Sequence, residues 1–409
     1  MTDQETQQAE SADVVIGLIP PSPEPAKIGS AIARLMQSGV TGRIVVVHPS
    51  CGGASGEDPD CQPSSHQDAR WSFIEDAALV QDRSALADSF GRTFRTVFDL
   101  AGKMNARACA VITSDLSTVT PAWADLLINP VVNDGFDLVA PCYAPHPFDG
   151  VINRAVVYPV VRALYGRRIR NPMGPDFGLS GKMVARMAEG QRPRLHPLVS
   201  LAPGAIASEM KICQSYLGPR VYPSLDWGNL SPFLSQVLAM LFLDVERFAP
   251  WWQRARGSQR VTEFGTAGAE DASTATVDSA ALMQGFQAGA RSLIETWGTV
   301  LPPSTLVELR KLARQSAERF RMEDTTWARI VYDFALAYRL RANSRAVNSE
   351  QVLRAFTPLY MGWVASYALE IAGASAAAVE QRIEDLCAVF EATKPYFVSR
   401  WRWPDRFTP

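Results

Sequence analysis

Residues 108–117, ACAVITSDLS, hold the reading that decides the fold. The small and β-branched residues of the first half predict a buried strand, and the strand ends on an acidic residue, Asp115. In an open α/β sheet, ligands bind outside the carboxyl ends of the strands. Asp115 is therefore the residue on which a functional reading turns.

Working outward, residues 14–19 (VVIGLI) form a short apolar run stopped by Pro20 and Pro21, which predicts a first buried strand. Ile28, Ile32, Leu35 and Met36 recur at helical spacing before Gly39, and residues 44–47 (IVVV) predict a second strand. A β-α-β unit of this kind implies parallel strands and a right-handed crossover. Residues 49–69 form a long Gly/Ser/Pro/Asp-rich loop, of a length that is functional or disordered in compact domains. A helix is expected over 90–103, the central strand over 109–113, a helix opened by Pro121 over 121–129, and strands over 136–141 and 211–216. This alternation predicts a sheet covered by helices on both faces.

Beyond it, 232–252 is apolar and helical, and 256–280 is a Gly/Ser/Thr/Ala-rich linker. Everything from 281 onward reads helical. Thr305 with Glu308, and Asn348 with Gln351, have capping-box spacing. Trp327, Ile330, Val331, Phe334 and Tyr338 make one core-facing stripe. The expected organisation is a disordered lead-in over 1–12, an α/β domain over 13–255, the linker, and a helical domain over 281–409.

The net charge of -2 comes without any Lys/Arg-rich run, which speaks against nucleic acid as a partner. The polar, acidic start lacks the layout of a signal peptide, and no apolar run is long enough to span a bilayer, so a cytoplasmic protein is expected. Cys109, Cys142, Cys213 and Cys387 sit among apolar residues and read as core. Cys51 and Cys61 flank the long loop, as a pair or simply as part of a solvated segment.

Asp115 admits two readings. A carboxylate there can hold Mg²⁺ or Mn²⁺ on a diphosphate, because hard cations prefer oxygen ligands; equally, Asp is common as a cap or turn residue. Asp149, Gly150, Asn153 and Arg154 form a polar cluster whose side chains can hydrogen-bond hydroxyls of a sugar or a small acid. Arg162, Arg167, Arg168 and Arg170 can bind phosphate or carboxylate, or face solvent. Residues 171–180 (NPMGPDFGLS) read as a tight loop presenting Asp176. The four histidines, His48, His66, His146 and His196, form no metal-spaced pair. The chain lacks a nucleophile elbow, G-x-G-x-x-G, and the phosphate loop G-x-x-x-x-G-K-[ST].

ACAVITSDLSTVTPAWADLL, followed by YAPHPFDGVINRAVVYPVVRALYGRRIRNPMGPDFGLSG, resembles the nucleotide-sugar glycosyltransferases of GT-A fold related to glucosylglycerate and mannosylglycerate synthases. The resemblance continues through KICQSYLG, WARIVYDFALAY and FTPLYMGWVASYALE. It implies a Rossmann-like, mostly parallel sheet flanked by helices, followed by an all-helical C-terminal domain. It also implies a retaining hexosyltransferase that uses a nucleoside-diphosphate sugar, Mg²⁺ or Mn²⁺, and a small hydroxy acid such as D-glycerate; the helical tail separately suggests a homo-oligomer, since such helices often pack in symmetric pairs. On this resemblance Asp176 and Asp149 are catalytic. Pro20, His48, Ser50, Ser114 and Asp115 bind the donor, Asn153, Asp149 and Arg154 bind the acceptor, and Asp115 binds the metal, with Asp226, close to Tyr222, as a substitute second ligand.

The chain also departs from that family. Thr113-Ser114-Asp115-Leu116 stands where the family has Asp-x-Asp-Leu, Ser89-Phe90-Gly91 where it has Gly-Lys-Gly, Tyr222 where it has a metal-binding His, and Gly204-Ala205-Ile206 where it has Gly-Ile-Asp. These losses fall on the donor side, so a catalytically degenerate sugar-binding or regulatory subunit is the alternative.

Overall fold

The β-branched runs VVIGL and RIVVVHP become parallel strands β1 (Val14–Leu18) and β2 (Arg43–Pro49), linked through helix α1 (Pro25–Leu35). A computed structural model describes residues 13–20, 24–40, 42–49, 71–76, 86–189, 197–221, 230–267, 277–340 and 349–403. Contacts divide the chain into two units. The first holds residues 1–144, 173–222 and 261–269, and the second 145–172, 223–260 and 270–409.

The first unit continues with β3 (Trp71–Asp76), α2 (Leu86–Lys103), β4 (Ala108–Ile112), α3 (Pro121–Val132) and β5 (Leu138–Tyr143). The strand order among the described residues is β10-β8-β5-β7-β4-β1-β2-β3, with the two-residue β6 (Arg167–Arg168) lying outside it. The remaining members are β7 (Phe177–Ser180), β8 (Ile212–Gly218) and β10 (Thr262–Phe264); β9 (Gln259–Arg260) pairs with β6. Only β7 runs antiparallel to its neighbours, β4 and β5. The sheet is thus mostly parallel, as expected. From β1 the chain steps outward to β2 and β3, while from β4 it steps to the other side. The point where the order reverses therefore lies between β1 and β4.

Both faces are covered. On one, alternate residues Val14, Ile16, Leu18, Ala108, Ala110 and Ile112 pack on Ile28, Ile32 and Leu35 of α1 and on Trp123, Leu127 and Ile128 of α3. On the other, Phe94 and Phe98 of α2 stack against Phe177. Two glycines permit this close layering. A Cβ on Gly17 would lie 2.5 Å from Val97 Cγ1, and a Cβ on Gly178 would overlap the carbonyl oxygen of Leu127. Helices α5 (Gly181–Glu189) and α6 (Pro197–Ala207) complete this unit.

The second unit is almost wholly helical. It contains α4 (Tyr158–Val160), α7 (Leu230–Arg247), α8 (Ala249–Trp252), α9 (Ser279–Ser292), α10 (Ile294–Gly298), α11 (Pro303–Leu312), α12 (Asp324–Leu340), α13 (Ser349–Glu370) and α14 (Ala376–Arg402). The stripe Trp327, Ile330, Val331, Phe334 and Tyr338 is buried, with Trp327 stacked on Trp363. No described helix is long and apolar enough to cross a membrane.

Several expectations need correction. Residues 256–280 are not linker throughout, since 259–260 and 262–264 are strands; a composition of small polar residues does not prevent a short edge strand whose partner supplies the ladder. Residues 177–180 are a strand rather than part of a loop, because β4 and β5 pair with them from both sides, a long-range ladder that leaves no local signal. Strand β3 carries no alternation that would have announced it. Thr305 is buried inside α11, whose N-cap is Pro302, so it forms no capping box; Asn348 lies outside the described residues. The helix over 28–37 ends on Met36 rather than at a glycine cap. Cys109, Cys142, Cys213 and Cys387 are buried as expected, whereas Cys51, Cys61 and the loop between them lie outside the described residues.

Two outcomes follow from the packing. Gly178→Ala should destabilise the protein by about 3 kcal/mol, because rigid backbone rather than a flexible side chain meets the new methyl; an unchanged urea midpoint contradicts this. Asp333, buried in α12, accepts from Tyr396 Oη at 2.9 and 3.0 Å and pairs with Arg400 Nε at 3.3 Å, yet burial pushes its carboxyl up to about 7. Its folded-state affinity for a proton exceeds that of an ordinary Asp, so its contribution to stability is full below about pH 4 and is lost as pH rises through 7. Wild type should accordingly lose stability relative to Asp333→Asn between pH 5 and 8 in urea titrations followed by tryptophan fluorescence. A constant difference across that range contradicts it.

Candidate functional site

Strand β4 ends at Ile112, and the next three residues leave the sheet at its carboxyl edge. Ile19 N donates to Ile112 O at 2.9 Å, so Pro20 and Thr113 leave β1 and β4 side by side. Asp176, immediately before β7, reaches this exit and is fully buried. Its Oδ1 accepts from the backbone N–H groups of Thr113 (2.8 Å) and Ser114 (3.0 Å). Its Oδ2 accepts from Ser114 Oγ (2.5 Å) and Tyr143 Oη (2.5 Å). Thr113 Oγ1 donates to Pro175 O at 2.7 Å. One carboxylate thus gathers the ends of β4 and β5 and the start of β7. Four protein donors at a buried carboxylate make Asp176 a fixture of the loop rather than a group open to a proton or a sugar.

Asp115 is half-buried and caps the 3-10 turn at Leu116–Thr118, its Oδ1 accepting from Ser117 N at 2.8 Å. Hydrogen bonds from the Ser117 side chain and backbone hold its carboxyl below the usual range, and the ammonium of Lys27 adds to the effect. Of the two readings made from sequence the cap is observed, and Asp115 caps its turn next to the point where the strand order reverses. Arg34 of α1 donates to Leu116 O and Ser117 O at 2.9 Å each and fixes the turn against the helix. Two residues of this exit escaped the sequence reading. Tyr143 lies one strand away and joins only through the sheet. Lys27 shares a helical face with Arg34 seven residues later, a spacing that was legible but pointed to no chemistry.

The other donor-side residues are less defined. His48 is the penultimate residue of β2, in register with Glu75. Ser50, Tyr222 and Asp226 lie outside the described residues. Ser89, Phe90 and Gly91, where the family resemblance places a glycine loop, run inside α2, and Gly204 to Ile206 run inside α6. As for Mg²⁺ or Mn²⁺, no three His, Cys, Asp or Glu side chains among the described residues converge to hold an ion. The residues that precede Asp115, Thr113 and Ser114, carry neutral hydroxyls, weaker partners for a hard divalent cation than carboxylates. The described donors therefore do not fit a resident divalent cation.

In the second unit, Gly150 adopts a φ of 54° and starts a buried helical stretch that carries Asn153 and Arg154. Asn153 Nδ2 donates to Arg170 O at 3.0 Å and to Asn171 Oδ1 at 3.3 Å, while its buried Oδ1 has no protein donor. Arg154 is committed to Glu380 of α14 at 3.2 Å. Asp149 is half-buried in the turn after His146. The arginines read as phosphate binders or solvent-facing are instead structural. Arg162 pairs with Glu384 (2.5 Å) and Glu391 (3.0 Å), Arg170 with Glu380, Arg167 with Gln259 and Arg168 with Ser258. Glu380, Glu384 and Glu391 recur at i, i+4 and i+11, one face of α14. Glu384 is partly buried, but Tyr158 and Arg162 hold its carboxyl below the ordinary range.

Neither a protein-family model nor a curated sequence matches the chain. Among solved structures it is similar to glucosyl-3-phosphoglycerate synthase from Mycobacterium tuberculosis. With the complex of Mn²⁺, uridine diphosphate and phosphoglyceric acid, identity is 17%, covering 57% of this chain and 78% of that one, with a TM-score of 0.40. With the complex of Mn²⁺, uridine diphosphate and glucosyl-3-phosphoglycerate, identity is 17%, covering 57% and 80%, with a TM-score of 0.41. With the complex of Mg²⁺ and uridine diphosphate the values are 16%, 57%, 79% and 0.40.

The Asp176 network makes a clear demand. Asp176→Ala strands four donors, so it should cost about 3 kcal/mol or more. Asp176→Asn, which keeps an acceptor for the two amides and lets the hydroxyls rotate, should cost less than half as much. Equal effects of the two substitutions in chemical denaturation contradict the scaffold role.

Proposed function

We propose that the chain is a hexosyltransferase that takes a hexose from a nucleoside diphosphate and passes it, with retention, to a small hydroxy acid such as D-glycerate. The observation that carries this reading is the placement of Pro20, Thr113, Ser114 and Asp115 at the reversal between β1 and β4, the crevice position for a nucleotide in an open α/β sheet. In this reading the exits of β1 and β2, with Pro20, His48 and Ser50, receive the nucleotide. Ser114 and Asp115 face the diphosphate end. Asp176 is a positioning residue: it fixes the Thr113 and Ser114 amides and so aims Asp115. On the acceptor side, the buried Oδ1 of Asn153 offers a hydrogen bond that no protein group takes, and Asp149 supplies a carboxylate to a hydroxyl. Arg154, held by Glu380, acts through packing. Catalysis rests on positioning and on stabilising charge on the leaving diphosphate. No step is assigned to Mg²⁺ or Mn²⁺, and the pair Asp115 and Asp226 stays outside the mechanism. A cytoplasmic homodimer, associating through the helical second unit, belongs to the same reading.

A second reading is favoured by one observation: among the described residues, the full engagement of Asp176 and the capping role of Asp115 leave the exit without an uncommitted carboxylate pair. On that reading the chain binds a sugar nucleotide as a regulatory subunit without turnover.

Calorimetric titration with uridine, guanosine and adenosine diphosphate hexoses, paired with a transfer assay on D-glycerate and 3-phosphoglycerate, separates the two. The transferase reading expects saturable binding of one donor, product formation, and a loss of turnover of about tenfold or more in Asp115→Ala. Binding without product under every condition selects the regulatory reading. Absence of binding removes both.

A further inference from the structure

We infer that Lys27 holds the diphosphate of the bound nucleotide at the β4 exit in place of a divalent cation, so that donor binding is independent of metal. This rests on the sugar-nucleotide reading above and adds which group neutralises the ligand.

The starting point is a disagreement between chemistry and residues. A diphosphate brought to the exit of β4 meets Asp115, and two anions at close range repel unless a cation lies between them. Among the described residues the exit offers Asp115 as one carboxylate beside the neutral hydroxyls of Thr113 and Ser114, and no three acidic, His or Cys side chains converge there, a weak set for a hard divalent cation. An ammonium is the other physical solution, because Lys or Arg does for phosphoryl groups what a metal ion does.

The geometry presents one. Lys27 lies in the first turn of α1, where the chain has just left β1 at the carboxyl edge of the sheet. It precedes Arg34 by seven residues, two helical turns, so both project from one face. Arg34 fixes that face to the turn that Asp115 caps, through the carbonyls of Leu116 and Ser117. Lys27 and Asp115 accordingly feel each other's charge. Its present partner is Glu24, with Nζ 2.9 Å from Oε1 and both side chains well exposed. An exposed pair three residues apart is weakly held, so a diphosphate bearing more charge than Glu24 can displace it. A four-carbon stem with three donors suits this exchange. Asp115 then acts on the ligand through Lys27, keeping the ammonium at the exit.

The test is calorimetry of wild type, Lys27→Gln and Lys27→Arg with the nucleoside diphosphate that wild type prefers, once in EDTA and once in Mn²⁺. Lys27 is exposed, and all three proteins should melt alike, which the same samples report. The expected result is binding by wild type in EDTA, an affinity loss of about tenfold or more in Lys27→Gln, and affinity within about threefold of wild type in Lys27→Arg. Wild-type binding that requires Mn²⁺, or Lys27→Gln binding like wild type in EDTA, overturns the role of the lysine and leaves the sugar-nucleotide reading standing. No binding of any nucleotide in either buffer overturns both.

Discussion

The carboxylate of Asp176 is the constraint on which the rest of the first unit's carboxyl edge depends. Four donors from two segments converge on it: two backbone amides after β4, the Ser114 hydroxyl, and the phenol of Tyr143 at the end of β5. A buried charge of this kind is tolerable only when its lone pairs are taken up, and here they are. Once it is satisfied, the backbone at Thr113 and Ser114 has a single direction in which to leave the sheet. Tyr143 is itself covered by the guanidinium of Arg220 at 4.3 Å from the ring, and its ring faces Trp123, whose Nε1 donates to Leu217 O. The exit is therefore supported from beneath by aromatic rings and from the side by a saturated carboxylate.

The second unit solves a similar problem with ion pairs. Arg154 and Arg162 are drawn out of water along one buried helical stretch, Arg170 follows it past β6, and a row of glutamates on α14 meets all three. Buried pairs are poor sources of net stability, but they are costly to mismatch. They hold the register of α14 against residues 154–170 within this unit. Tyr158, donating to Glu384 at 2.8 Å and lying under Arg170, joins the same layer. Residues that look in sequence like a basic phosphate-binding patch are in fact an internal clamp.

Asp176 and Asp115 differ in how deep the fold sets them. Asp176 and Asp115 stand in similar local sequence, each after a Pro- or Ser-bearing turn and before a hydrophobic residue. One is saturated and buried; the other spends one oxygen on its own turn and stays half-exposed beside a lysine. Depth in the fold, rather than residue type, separates a scaffold from a group that can answer to a ligand.

The linear sequence by itself determined the layered α/β first unit and its helical companion. β-branched runs at β1, β2 and β4, helical spacing in α1 and α12, and Pro121 at a helix start are local signals, and local sterics and burial enforce them. It also placed Asp115 at the end of a strand, because strand length is countable. Only the tertiary structure decided what the polar residues do. Strand β7 inserts antiparallel between β4 and β5, and that one long-range pairing delivers Asp176 to the end of β4, sixty residues earlier in the chain. The arginines found their glutamates some two hundred residues away on α14. A hydrogen bond or an ion pair between segments so far apart leaves no periodicity along the chain, since its partners are chosen by the packing of apolar faces and not by their own neighbours.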